Sequence, residues 1–137
     1  MHKLFLLYDE LRNANVSLFD FQIPNHPAAT VELDGTYGVF IDTGQIRSIA
    51  EETYLVAHEA GHVMTGATHQ IYSPLQLVAQ HENRADRWAI RKLIPRNELT
   101  AALQSGFTEP WQLAEYFDLP EEFICKAVDY YQNIRPL

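Results

Sequence analysis

The chain has 137 residues, 47% of them hydrophobic and 20% charged, with a formal net charge of −8 and a single cysteine. That length fits one domain, or one domain with a small appendage; the apolar fraction excludes a disordered chain, and the lone Cys125 excludes an internal disulfide. An acidic field repels phosphate backbones, so direct nucleic-acid binding is not expected, and no apolar run approaches the ~20 residues of a membrane span. Asp9 and Glu10 directly follow the apolar residues 4–8 with no small-residue cleavage site, which argues against a signal peptide. The expected location is the cytoplasm.

Leu4, Leu7, Tyr8 and Leu11 recur at i, i+3, i+4 and i+7, which predicts an amphipathic helix over residues 2–14. Residues 16–23 are β-branched and aromatic and stop at Pro24, a strand signature. Residues 30–33 and 37–41 flank Asp34-Gly35, the pattern of a two-residue hairpin. These strands predict one small antiparallel sheet, with the strand at 37–41 exposed for an extended peptide to pair along. Ser48 with Glu51 fits a capping box opening a helix over residues 49–65, which Gly66 ends. Ser73-Pro74 predicts the start of a further helix that runs to about residue 94, with a break near Ala79 and a stop at Pro95. Three shorter helices are expected at residues 97–104, 108–117 and 120–133.

The helix over residues 49–65 contains His58-Glu59-Ala60-Gly61-His62, an HExxH pattern. Positions i and i+4 stack on one helical face, so His58 and His62 can present two imidazoles to one Zn²⁺. Glu59 projects about 100° round the helix, where it can reach a water beside the metal without ligating it. With six His in the chain, composition alone gives about 0.02 such windows by chance.

A catalytic zinc site needs a third protein ligand and an open position. The longer HExxHxxGxxH spacing would need Gly and His where Thr65 and Thr68 stand, so that class is excluded. His69, His81, Glu82 and Asp86 remain as candidates. His69 lies beyond the helix stop and reaches the metal only if the loop folds back. His81 points about 100° away from Glu82 on a helix, which suits a role at the surface or behind the ligands. Glu82 is favoured because Asp86 follows at i+4 on the same face. Glu82 would then ligate, while Asp86 accepts the other ring N–H of a ligating histidine and fixes its tautomer. The competing use of both carboxylates is salt bridging to neighbouring arginines. Arg84, Arg87 and Arg91 form one stripe, best read as a solvated helix face. Tyr54, His69 and Tyr72 are candidates for oxyanion or substrate contacts.

Residues 54–66 resemble the active-site helix of the ImmA/IrrE family of metallopeptidases. Glu82-Asn83-Arg84-Ala85-Asp86-Arg87-Trp88-Ala89, followed by Leu93-Ile94-Pro95, is similar to that family's second signature. Arg84 stands where many members carry an acidic residue, although it is not a ligand position. The Glu-xxx-Asp pair also resembles that of thermolysin-like zinc peptidases. The resemblance covers roughly residues 1–95. It implies a cytoplasmic zinc endopeptidase of phages or other mobile elements, acting on the helix-turn-helix repressor that silences the element. His58, His62 and Glu82 would hold Zn²⁺, with Glu59 as general base.

The expected fold is therefore α+β: a small three-stranded antiparallel sheet packed on a zincin-like HExxH helix and a second metal-ligand helix. Residues 1–95 would form the peptidase core and residues 96–137 a C-terminal helical extension packed on it. The segment from Gln112 to Ile124 has a helix-turn-helix rhythm, which supplies the rival reading of a non-catalytic repressor-binding or DNA-binding regulator. Six acidic against two basic residues after Gly106, a local net of −4, oppose the DNA-binding use.

Overall fold

The leucine spacing at the start of the chain builds α1 (Lys3–Asn13), which buries Leu4, Leu7 and Leu11 along one stripe. His2 caps it: the Leu4 amide donates to His2 Nδ1 at 3.0 Å. The computed structural model describes residues 2–66 and 75–137. Three strands follow, β1 (Ser17–Asp20), β2 (Ala28–Leu33) and β3 (Thr36–Ile41). Asp34 and Gly35 both take positive φ, 53° and 79°, the backbone that a two-residue hairpin between β2 and β3 requires.

The sheet is mixed, not purely antiparallel. Its order is β1-β3-β2, with β2 antiparallel and β1 parallel to the central β3. Alternation of residue types predicts strands but not which side of a hairpin a third strand joins. Here residues 21–27 carry the chain across the end of β3, and Asp42 ties that crossing down. Its carboxylate accepts from the Ile23 amide at 3.0 Å and from Gln45 Nε2 at 2.7 Å, while Gln45 Nε2 also donates to the carbonyl of His26. A consequence is that residues 37–41, expected to be exposed for peptide pairing, are hydrogen-bonded on both sides. Among the described residues β1 and β2 are the edge strands instead.

Val39 and Ile41 of β3 are buried against the helices, whereas Phe19, Phe21 and Phe40 cluster on the opposite face. The long helix α2 (Ile49–Thr65) starts where Ser48 accepts from the Glu51 amide and stops at Gly66 in the left-handed conformation. It buries Val56, Ala57, Ala60 and Gly61, and packs on α3 (Leu75–Leu93). α3 runs without the break expected near Ala79, and the Ser73-Pro74 start lies outside the described residues. Three further helices complete the chain: α4 (Arg96–Gln104), α5 (Pro110–Phe117) and α6 (Glu121–Ile134). They join the same core through Leu99, Leu113, Phe117, Phe123, Ile124 and Tyr131. Two long side chains close the end of α3, where carbonyls lack helical partners. Lys3 Nζ donates to Leu93 O at 2.6 Å, and the Tyr131 hydroxyl donates to Ile94 O at 2.7 Å.

α2 and α3 touch at Gly61. A Cβ there would stand 2.5 Å from the Ala85 carbonyl oxygen and 2.9 Å from its Cα, both of them backbone atoms. Since backbone cannot swing aside, Gly61→Ala should force the helices apart. Overpacking of this kind costs about 1–3 kcal/mol. Urea unfolding of the variant should show that loss, and an unchanged midpoint would mean the helices do not meet so closely.

Candidate active site

α2 projects His58 and His62 from one face, and α3 sets Glu82 and Asp86 opposite them, again one turn apart. His58 lies between the two carboxylates: Nδ1 stands 2.7 Å from Asp86 Oδ1 and Nε2 stands 2.6 Å from Glu82 Oε2. With both ring nitrogens protonated, each donates to a carboxylate oxygen. His62 Nε2 lies 3.1 Å from the other oxygen of Glu82. The two rings meet edge to face with centroids 4.9 Å apart.

The electrostatics follow from burial and pairing. Burial alone would lower the His58 pKa, but hydrogen bonds to Asp86 and Glu82 overcome it and push the ring up to about 10. Those same bonds, from His58 first and then His62, hold the Glu82 carboxyl well below the usual carboxylate range. Burial of Asp86 would raise its carboxyl, yet the His58 bond outweighs that and holds it down. Glu59 behaves differently. It is only 6% exposed, and desolvation pushes its carboxyl up despite the nearby imidazoles.

Glu59 faces a cleft of about 350 Å³ lined by His26, Ala28, Ala29, Thr30, Glu59, His62 and Glu82. Thr30, which the sequence reading did not single out, donates from its hydroxyl to Glu59 Oε1 at 2.7 Å. One side of the cleft is thus the β2 edge. Pro27 O accepts from the Asp42 amide, so the odd-numbered residues of β2 bond to β3 and the even ones turn their backbone groups outward. Ala28 and Thr30 therefore present N–H and C=O groups along the cleft.

The remaining candidates are placed differently. The Tyr54 hydroxyl donates to Asp86 Oδ1 at 3.2 Å, and Tyr54 does not line the cleft. Burial and the Asp86 charge push its phenol up to about 12. His81 is half-buried beside Glu82, outside the cluster. His69 and Tyr72 lie outside the described residues. Lys126 of α6, another residue the sequence reading passed over, donates to Asp86 Oδ2 at 3.2 Å. Neither Thr30 nor Lys126 sits at a motif spacing, so only the folded contacts identify them.

His58, His62 and Glu82 each offer one ligand atom, and these atoms lie within 4.8 Å of one another. Two imidazoles and a carboxylate suit zinc and leave a fourth position open, so the residues present fit the metal. Such a donor set, opening on a strand edge able to bind extended backbone, suits a metallopeptidase. The chain belongs to the Peptidase_M78 family, whose model, described as the IrrE N-terminal-like domain, matches residues 3–129. Membership makes it a peptidase of the ImmA/IrrE type, and the matched region extends through most of the C-terminal helices. No curated protein and no solved structure matches the chain at a significant level. Among the described residues, no helix is long and apolar enough to cross a membrane.

The clamped imidazole gives the metal-free protein a defined pH dependence. His58 rises from 6.5 to about 10 on folding, so its contribution to stability is complete below pH 6.5 and is lost as pH rises through about 10. In chelator, wild type should melt above His58→Gln at neutral pH, with the gap closing toward pH 10. A gap that stays constant across that range would show that His58 is not held protonated.

Proposed function

We propose that the protein is a zinc-dependent endopeptidase of the cytoplasm that cleaves a helix-turn-helix repressor protein, relieving repression of a phage or other mobile element. The observation that carries the catalytic part is the convergence of His58, His62 and Glu82 beside a buried Glu59 at the mouth of a cleft. The repressor as substrate is supported by the likeness of both motifs to the ImmA/IrrE family. His58, His62 and Glu82 would hold the metal. When bound, zinc supplies Lewis acidity, polarising the scissile carbonyl and making a water easier to deprotonate.

The protein's own groups do the rest. Glu59 accepts the proton of the attacking water and passes it to the leaving amine, a task favoured by a carboxyl raised toward neutrality. Thr30 keeps the Glu59 carboxylate aimed. Asp86 orients His58 by accepting from Nδ1, which leaves Nε2 for the metal. A substrate segment in extended form adds to β2, bonding to the outward groups of Ala28 and Thr30. Residues 1–95 act as the catalytic core, with residues 96–137 as an extension packed on it. Glu121 and Glu122 are exposed at the start of α6, where a DNA-reading helix would meet phosphates, so we assign the extension to the protein side of recognition.

Zinc-loaded protein incubated with a cognate helix-turn-helix repressor should give two fragments, and a chelator should abolish the cut. Intact repressor with lost operator binding would favour a non-cutting partner. Glu59→Gln should bind zinc almost normally but fail to cleave. Glu82→Gln should lose zinc and activity together, because a neutral amide replaces an anionic ligand. Asp86→Asn should fall between them, since outer partners of a ligand are worth about 10–100-fold. Full zinc occupancy in Glu82→Gln, measured by metal analysis, would rule out Glu82 as third ligand.

A further inference from the structure

Asp86 is fixed from three directions. Its Oδ1 accepts from His58 Nδ1 at 2.7 Å and from the Tyr54 hydroxyl at 3.2 Å. Its Oδ2 accepts from Lys126 Nζ at 3.2 Å, and that residue comes from α6, forty positions away in sequence. The Lys126 ammonium also stands 5.8 Å from the centroid of the Tyr54 ring. α6 is anchored at the same place by Phe123, fully buried, whose ring lies 4.6 Å from that of Tyr54. One helix of the C-terminal extension thus reaches the residues behind the HExxH helix.

We propose that α6 completes the metal centre, with Lys126 as a positioning residue that, together with Tyr54, locks the Asp86 carboxylate so that it orients His58. The inference rests on the zinc-peptidase reading given above. A carboxylate held through one oxygen turns about its Cβ–Cγ bond, whereas one held through both keeps its plane. That plane aims Oδ1 at His58 Nδ1, and so fixes the ring direction in which Nε2 points. As an ordinary surface ion pair the contact would contribute little to folding, because the Lys126 side chain is 53% exposed. Its consequence belongs on metal affinity instead.

The test is zinc affinity of the full chain, measured by competition with a chelating indicator, for wild type, Lys126→Met, Lys126→Arg, Asp86→Asn and the Lys126→Met/Asp86→Asn double variant. A direct partner of a ligand is worth about 10–100-fold, so one bond further out Lys126→Met is expected to bind zinc about three- to tenfold more weakly. Lys126→Arg retains a charged donor and should restore most of the affinity. The double variant should bind like Asp86→Asn alone, because the lysine acts through that carboxylate. Melting temperatures in chelator should be the same for wild type and Lys126→Met, which separates positioning from general support of the fold. Wild-type affinity in Lys126→Met, or an equal further loss in the Asp86→Asn background, would overturn the proposal while leaving the zinc site standing. Wild type binding zinc no better than His58→Ala would instead remove the underlying reading and the proposal with it.

Discussion

The close approach of α2 and α3 at Gly61 and Ala85 is the constraint on which the site depends. Two pairs of residues one helical turn apart, His58 with His62 and Glu82 with Asp86, face each other across that contact. Each helix alone presents only two potential partners. Brought together with no side chain at Gly61, they place each histidine within hydrogen-bond distance of a carboxylate oxygen. A wider crossing would leave the histidines on one helix and the carboxylates on the other with water between them. The sheet depends on the same arrangement, since β2 lies against α2 and supplies both Thr30 and one wall of the cleft.

Within that frame the charges are arranged for exchange of protons and metal. The imidazoles of His58 and His62 lie within hydrogen-bond distance of the Glu82 and Asp86 carboxylates. Binding a metal there must displace protons from histidine nitrogens, which couples affinity to pH and lets bound metal add to folding stability. Glu59 stands apart from this exchange. Its burial raises its pKa while Glu82 and Asp86 are lowered, so neighbouring carboxylates acquire opposite tendencies from their surroundings alone.

Local features were legible from the sequence where local physics decides them. The span of α2, with Ser48 and Gly66 at its ends, follows from capping and from a positive φ. The hairpin follows from Asp34-Gly35. The i, i+4 pairs on α2 and α3 follow from helical spacing, which holds whatever surrounds them. What escaped depends on contacts between distant segments. The side of β3 on which β1 docks is set by a crossing that Asp42 and Gln45 secure. That choice turned the expected exposed strand into the central one. Thr30 reaches Glu59 across 29 positions, and Lys126 reaches Asp86 across 40. Tyr54 is an aromatic residue near the HExxH motif, yet its hydroxyl points to Asp86 behind the histidines and not into the cleft.

The central claim is that this cluster is a three-ligand metal centre with Glu59 beside it. Crystals of the zinc-loaded protein, with anomalous diffraction recorded on both sides of the zinc edge, test it most directly. The account predicts one zinc bonded to His58 Nε2, His62 Nε2 and a Glu82 oxygen at about 2.0–2.2 Å, with the Glu59 carboxylate outside the coordination sphere. Zinc ligated by Glu59, or drawn to His69 or His81 in place of Glu82, would contradict it.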